Sequence, residues 1–262
     1  MNPAALRWLI VGATLVLWEA LPRAGLVPML FLPPLSTTLL VCITEWRSYG
    51  AALAVTLNEV AVALVFACGG GVVAGALVGS MPGPRRLLLP IFSSLYAVPI
   101  VVLYPVFTAW FGIGAESKIA FASIYGFFPT MLATAAGIGT IDPNLLLTAR
   151  SLGATRMQLL LRVILPAAIP TVLAGLRLGG ALVIVGVVVA EMLVADAGIG
   201  YLVTSSRTML DSPRVFAGIL IVLALSVAFD LLMRTLEWRT AGWRDAGRAA
   251  SPVPTRPRNA TA

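Results

Sequence analysis

Any chemistry in this chain would have to come from a short roster of polar side chains. Its 262 residues include 11 acids, 18 basic residues, two cysteines and no histidine. Without histidine the commonest proton shuttle and metal ligand is missing, and Cys42 and Cys68 lie too far apart for a redox or zinc pair. No G-x-S-x-G, H-E-x-x-H or G-x-x-x-x-G-K-[ST] pattern occurs, and the only lysine, Lys118, follows Ser117. The residues therefore predict no catalytic group, no metal, no bound cofactor and no phosphate-cradling loop. What they can do is recognise: arginines can dock a protein or attract an anion, and isolated charges such as Arg177 mark special positions in apolar surroundings.

Those charges need elements to carry them, and the composition says which. At 59% hydrophobic and 11% charged residues, the chain has more apolar surface than one water-soluble core can hide, so a bilayer is its solvent. A span needs roughly 20 apolar residues, and uncharged stretches of that order occupy residues 60–84, 87–115 and 119–141. Weaker stretches, each with one charge, occupy 8–21 with Glu19, 166–190 with Arg177 and 215–233 with Asp230. The expectation is an all-α integral membrane protein of about six spans. Residues 1–22 are read as a retained anchor, because Trp18-Glu19 and Pro22-Arg23 stand where small residues would precede signal cleavage. Residues 23–56 form an outer segment with a short helix after Leu32-Pro33-Pro34, capped by Ser36 or Thr37; residues 57–238 form a five-helix core, and residues 239–262 a disordered tail.

Charge then orients the chain. With six spans and an inside N-terminus, twelve arginines face the cytoplasm, among them Arg85, Arg86, Arg150, Arg156 and Arg162, and five basic residues face outward. Omitting the distal Arg256 and Arg258 still leaves ten against five, so both termini are expected to be cytoplasmic. The net charge of +7 is spread over short loops and the tail, which fits topology and not nucleic acid.

Within the spans, several features have two readings each. Gly71, Gly75 and Gly79 recur at intervals of four and could serve dimerisation or packing inside one subunit. Pro90, Pro99 and Pro105, with Tyr96 and Tyr104, must bend the third span; they could border a translocation route or reflect ordinary membrane-helix composition. Arg177 could attract a solute, or snorkel at the cytoplasmic boundary, which would move the burial penalty to Glu191. Glu191 is expected to begin an outer loop, Asp230 to pair with Arg234, and Glu19 and Glu59 to sit near outer ends within reach of water.

The one long cytoplasmic loop, residues 142–166, is the most specific segment. Asp142 can cap a helix that Pro143 begins, Gly153 interrupts it, and a second helix starts near Ala154 or Thr155. Arg150, Arg156 and Arg162, six residues apart, fan out by about 120° steps, while Leu145, Leu152, Leu159 and Leu160 supply apolar knobs. Such a surface suits docking against protein; an amphipathic helix on anionic lipid is the other reading.

This segment resembles the signature of bacterial ABC importer permeases: a triplet, three residues, a glycine, nine residues, then I-x-L-P. Here it reads Leu147-Thr148-Ala149, Gly153, then Val163-Ile164-Leu165-Pro166. Similarity to the nitrate, sulfonate and taurine branch extends through Trp110-Phe111-Gly112-Ile113-Gly114, Ser117-Lys118, Phe128-Pro129, Gly175-Leu176-Arg177 and Gly198-Ile199-Gly200-Tyr201. The resemblance implies a type I importer fold working beside a second permease copy, with membrane lipid around it and a solute-binding protein outside. It also implies a cytoplasmic ATPase pair that uses ATP and Mg, docked on a coupling helix formed by Ala149, Arg150, Leu152, Gly153, Ala154, Arg156, Leu165 and Pro166. Tyr96, Pro99, Tyr104, Pro105, Arg177 and Glu191 are the candidate pathway residues. Leu147 stands where the family has glutamate, and the proline-rich stretch before W-F-G-I-G is thinned. An ion-coupled carrier is the alternative, although no inverted repeat is evident.

Overall fold

The computed structural model describes residues 2–249 and is helical throughout, with no strand among them. Its helices are α1 Pro3–Arg23, α2 Leu35–Thr44, α3 Trp46–Ser80, α4 Pro82–Tyr96, α5 Tyr104–Phe111, α6 Ala115–Gly139, α7 Pro143–Ser151, α8 Arg156–Leu193, α9 Ile199–Thr208 and α10 Ser212–Ala249. Five are long and apolar enough to cross a membrane, and the bent pair α4 and α5 makes up to six.

The bundle is built on α6, which packs against α3 on one side and α8 on the other. Glycine makes both approaches possible. A Cβ on Gly75 would lie 2.5 Å from the Met131 carbonyl oxygen and one on Gly71 would lie 2.8 Å from Thr130 Cβ, while Gly126 and Gly179 do the same between α6 and α8. The Gly71, Gly75 and Gly79 face is therefore filled inside the subunit, and the dimerisation reading of it falls. Where α3, α6 and α8 meet, Val60, Ala63, Ala67, Ala122, Val183, Ile184 and Val187 form a core of small and β-branched residues. Large apolar residues such as Val65, Phe66, Leu178 and Leu223 point outward, as lipid-facing surfaces require.

Several expectations shift. α3 begins at Trp46, well before the end of the expected outer segment at residue 56, and absorbs one extra residue as a π turn at Val65–Gly69. α2 starts at Leu35 with Pro34 at its N-cap and no side-chain cap, so neither Ser36 nor Thr37 serves. Ser36 instead gives its backbone N–H and its hydroxyl to the Glu19 carboxylate, at 2.9 and 2.8 Å, fastening α2 to α1. The third span breaks as the prolines demand: α4 and the helix from Ile100 diverge by 76°, with Pro99 extended between them. α10 runs to Ala249, past the expected start of the tail at 239; the remaining tail, residues 250–262, lies outside the described residues.

Candidate functional site

At one end of the bundle, residues 142–166 form a compact projection. Asp142 accepts the Asn144 N–H at 2.9 Å and Pro143 opens α7, because a proline at the first helical position forfeits no hydrogen bond. Gly153 has φ +79°, the left-handed conformation that ends a helix without a Cβ penalty. Thr155 and Gln158 then form a reciprocal capping box that starts α8. α8 is continuous from Arg156, so Leu165-Pro166 is no joint between helices. A π turn at Leu160–Ile164 accommodates Pro166 within the helix.

The projection is anchored by Ala149, Leu159 and Ile164, which are buried against Ala76, Ile138 and Ala168. Leu159 and the half-buried Leu160 thus hold the loop to the bundle and are not free knobs. Leu145, Leu147 and Leu152 stand exposed, Leu152 at 83%. Arg150 and Arg156 line a cleft between the loop and the junction of α3 with α4. Leu165 and Pro166 are half-buried in the wall of α8.

The opposite end carries a charge network that the sequence did not reveal. Lys118, in the first turn of α6, is 2.5 Å from Glu59 of α3, with both side chains about 97% or more buried. Glu59 is therefore not near water, contrary to expectation. Glu191 lies in the last turn of α8 and is also buried, not the start of a loop. It accepts the Thr56 hydroxyl and the Gly200 N–H, each at 2.8 Å, while the Ile199 N–H donates to Thr56 at 3.0 Å. Gly198 has φ +106° and a Cβ there would collide with the Glu191 carboxylate, so Gly198-Ile199-Gly200 wraps that group at the start of α9. The unique lysine was the one available signal.

The pathway candidates separate. Tyr104 is buried and donates to the Val194 carbonyl at 3.2 Å; with Pro105, Thr108 and Leu193 it lines a cleft of about 300 Å³ near Glu191. Tyr96 is half-exposed across the Pro99 bend. Arg177 lies about 21 Å down α8 from Glu191 at 1.5 Å per residue. There it pairs with Asp230 at 2.5 Å and Glu237 at 3.6 Å, so two carboxylates already match its charge. Asp230 also meets Arg234 at 2.8 Å, the expected helical pair.

Residues 70–242 match the family of binding-protein-dependent transport system inner membrane components. The chain belongs to this family. It is 33% identical over 240 residues to the taurine transport system permease protein TauC of Escherichia coli, covering 89% of this chain and 87% of that protein. It is 31% identical over 241 residues to the putative aliphatic sulfonates transport permease protein SsuC of Bacillus subtilis, covering 91% and 87%. The fold matches the inward-facing MetNI methionine ABC transporter with a TM-score of 0.67 at 17% identity, over 75% of this chain and 98% of that one. The protein is thus the permease subunit of an ABC importer with an all-α type I architecture.

Proposed function

We propose that two copies of this permease form a pathway through a bacterial plasma membrane for a small anionic solute of the sulfonate, taurine or nitrate kind. A binding protein delivers the solute from outside, and a separate cytoplasmic ATPase pair uses ATP and Mg. Both termini lie in the cytoplasm. The solute class rests on the taurine and sulfonate permeases that this chain resembles along most of its length.

The observation that carries the coupling is mechanical. The projection at residues 142–155 is exposed at Leu147 and Leu152 yet continuous with α8, the helix that reaches across the whole bundle to Glu191. A partner that moves the projection moves α8 as a rigid lever, and with it the α6 contact packed on glycine. ATP-driven closure of two docked ATPases would then shift the bundle between inward-open and outward-open populations through its differential binding to the two states. Leu147 meets the ATPase through apolar contact where the family uses a carboxylate.

The test is uptake of radiolabelled taurine, an alkanesulfonate and nitrate into vesicles holding this chain with its ATPase and binding protein. Uptake of at least one anion should require ATP and the binding protein. Gly153→Trp, which forces a bulky residue into φ +79°, should abolish it while the variant still assembles in the membrane. Uptake driven by an ion gradient without ATP would replace this reading with that of a secondary carrier.

A further inference from the structure

The cleft beside the docking loop has a chemistry of its own. It measures about 430 Å³ and is lined on its apolar side by Leu77, Met81, Leu159 and Leu160, and by the exposed guanidinium-bearing Arg150 and Arg156. No acidic residue lines it, and neither arginine joins an ion pair among the described residues. Two uncompensated cations over an apolar wall call for a ligand that is anionic at one end and hydrocarbon at the other.

Its position supplies the second argument. The cleft opens where α3 ends at Ser80, so it lies where an apolar span gives way to the basic Arg85 and Arg86. Leading to it along the outer face of α3 are Val73 and Leu77, four residues apart and 60% and 51% exposed, followed by Met81, the extended residue just past the helix end, which is 50% exposed. This apolar track follows the end of α3, a helix long and apolar enough to cross a membrane, into a basic mouth, which suits a single lipid with its chain beside the span and its headgroup at the cleft.

We infer that this cleft holds one anionic phospholipid, its phosphate between Arg150 and Arg156 and an acyl chain along Val73, Leu77 and Met81. The lipid would brace the docking loop against the end of α3. A protein contact alone would have no use for the membrane-facing track, so lipid is the occupant the residues favour. The inference goes beyond the transport reading.

The experiment is native mass spectrometry of the full chain in neutral detergent, titrated with phosphatidylglycerol or phosphatidylcholine of identical acyl chains. Wild type should retain one phosphatidylglycerol in preference to phosphatidylcholine. Since each basic residue near a membrane surface is worth about fivefold, the Arg150→Gln/Arg156→Gln double variant should lose up to roughly thirtyfold in phosphatidylglycerol affinity. Arg207→Gln, an exposed residue at the opposite end of the bundle, should lose none. Soluble glycerol phosphate should fail to displace the lipid, since it lacks the chain that follows the track. Equal retention of the two lipids, an unchanged double variant, or full displacement by glycerol phosphate would each overturn the site. So would a double variant that keeps its lipid preference but no longer co-purifies with the ATPase, which would make the arginines a protein contact.

Discussion

Lys118 and Glu59 sit 2.5 Å apart with almost no solvent exposure, so each depends on the other for its charge to be tolerable. Lys118→Met would strand a buried carboxylate and should cost about 3–5 kcal/mol, the usual penalty for breaking one half of a buried pair. The Glu59→Gln/Lys118→Met double variant should recover a large part of that loss, because it leaves no uncompensated charge. Thermal unfolding of the four proteins as a double-mutant cycle gives the coupling directly, and additive losses would show that the pair is not a unit. The sequence misplaced Glu59 for a definable reason. Arg47, Asn58 and Glu59 lowered the hydropathy of residues 46–59, so the apolar stretch began at 60, although α3 begins at Trp46 and is covered there by α6 and α9. Window averages register composition, whereas the cover over Glu59 and Glu191 comes from other helices. Arg177 was legible as a costly charge, but its partners Asp230 and Glu237 stand on another helix, and spacing along one helix pairs Asp230 only with Arg234.

Helices meet here at glycines, and each such contact makes a separate demand on its element. Gly75→Leu would drive a branched side chain into the Met131 carbonyl and Thr134, separating α3 from α6. Overpacking of this kind costs about 1–3 kcal/mol or more, so the variant should melt earlier and lose monodispersity. A variant of normal stability that only lost its second copy would return Gly75 to a role between subunits. Gly153 is the opposite case, because a Cβ there meets nothing within 4 Å and only the backbone conformation restricts it. Gly153→Asn should therefore keep uptake near wild type while Gly153→Val impairs it, since asparagine tolerates φ > 0 and a β-branched residue does not. The elements of the loop could be read in advance because proline, asparagine-like caps and glycine act locally: Asp142, Pro143 and Gly153 all do what their positions implied. The π turns at Val65–Gly69 and Leu160–Ile164 had no such signal, since one inserted residue changes hydrogen bonding without changing composition.

At the scale of the whole molecule, orientation follows from helix count and charge together. α1, α3, the bent α4 and α5 pair, α6, α8 and α10 place the 142–155 projection and the start of α1 on one side, and α9 on the other. The projection's side carries Arg85, Arg86, Arg150, Arg156 and Arg162, while Arg207 and Arg214 lie by α9, where Arg214 is held by Glu45 and Asp211. The positive-inside rule then predicts a cytoplasmic projection. Replacing Cys42 and Cys68 to give a background without thiols, and then introducing Gln158→Cys or Thr208→Cys singly, tests this on intact cells. Both positions are exposed, so a membrane-impermeant maleimide should label Thr208→Cys from outside and should reach Gln158→Cys only after the cells are opened. The reverse pattern would put the loop on the far side from any ATP and would break the coupling mechanism whatever its residues contact. Labelling of both positions from outside would mean that residues 158 and 208 share one side and that α8 does not cross the bilayer, whereas a re-entrant α4 and α5 would give the reverse pattern.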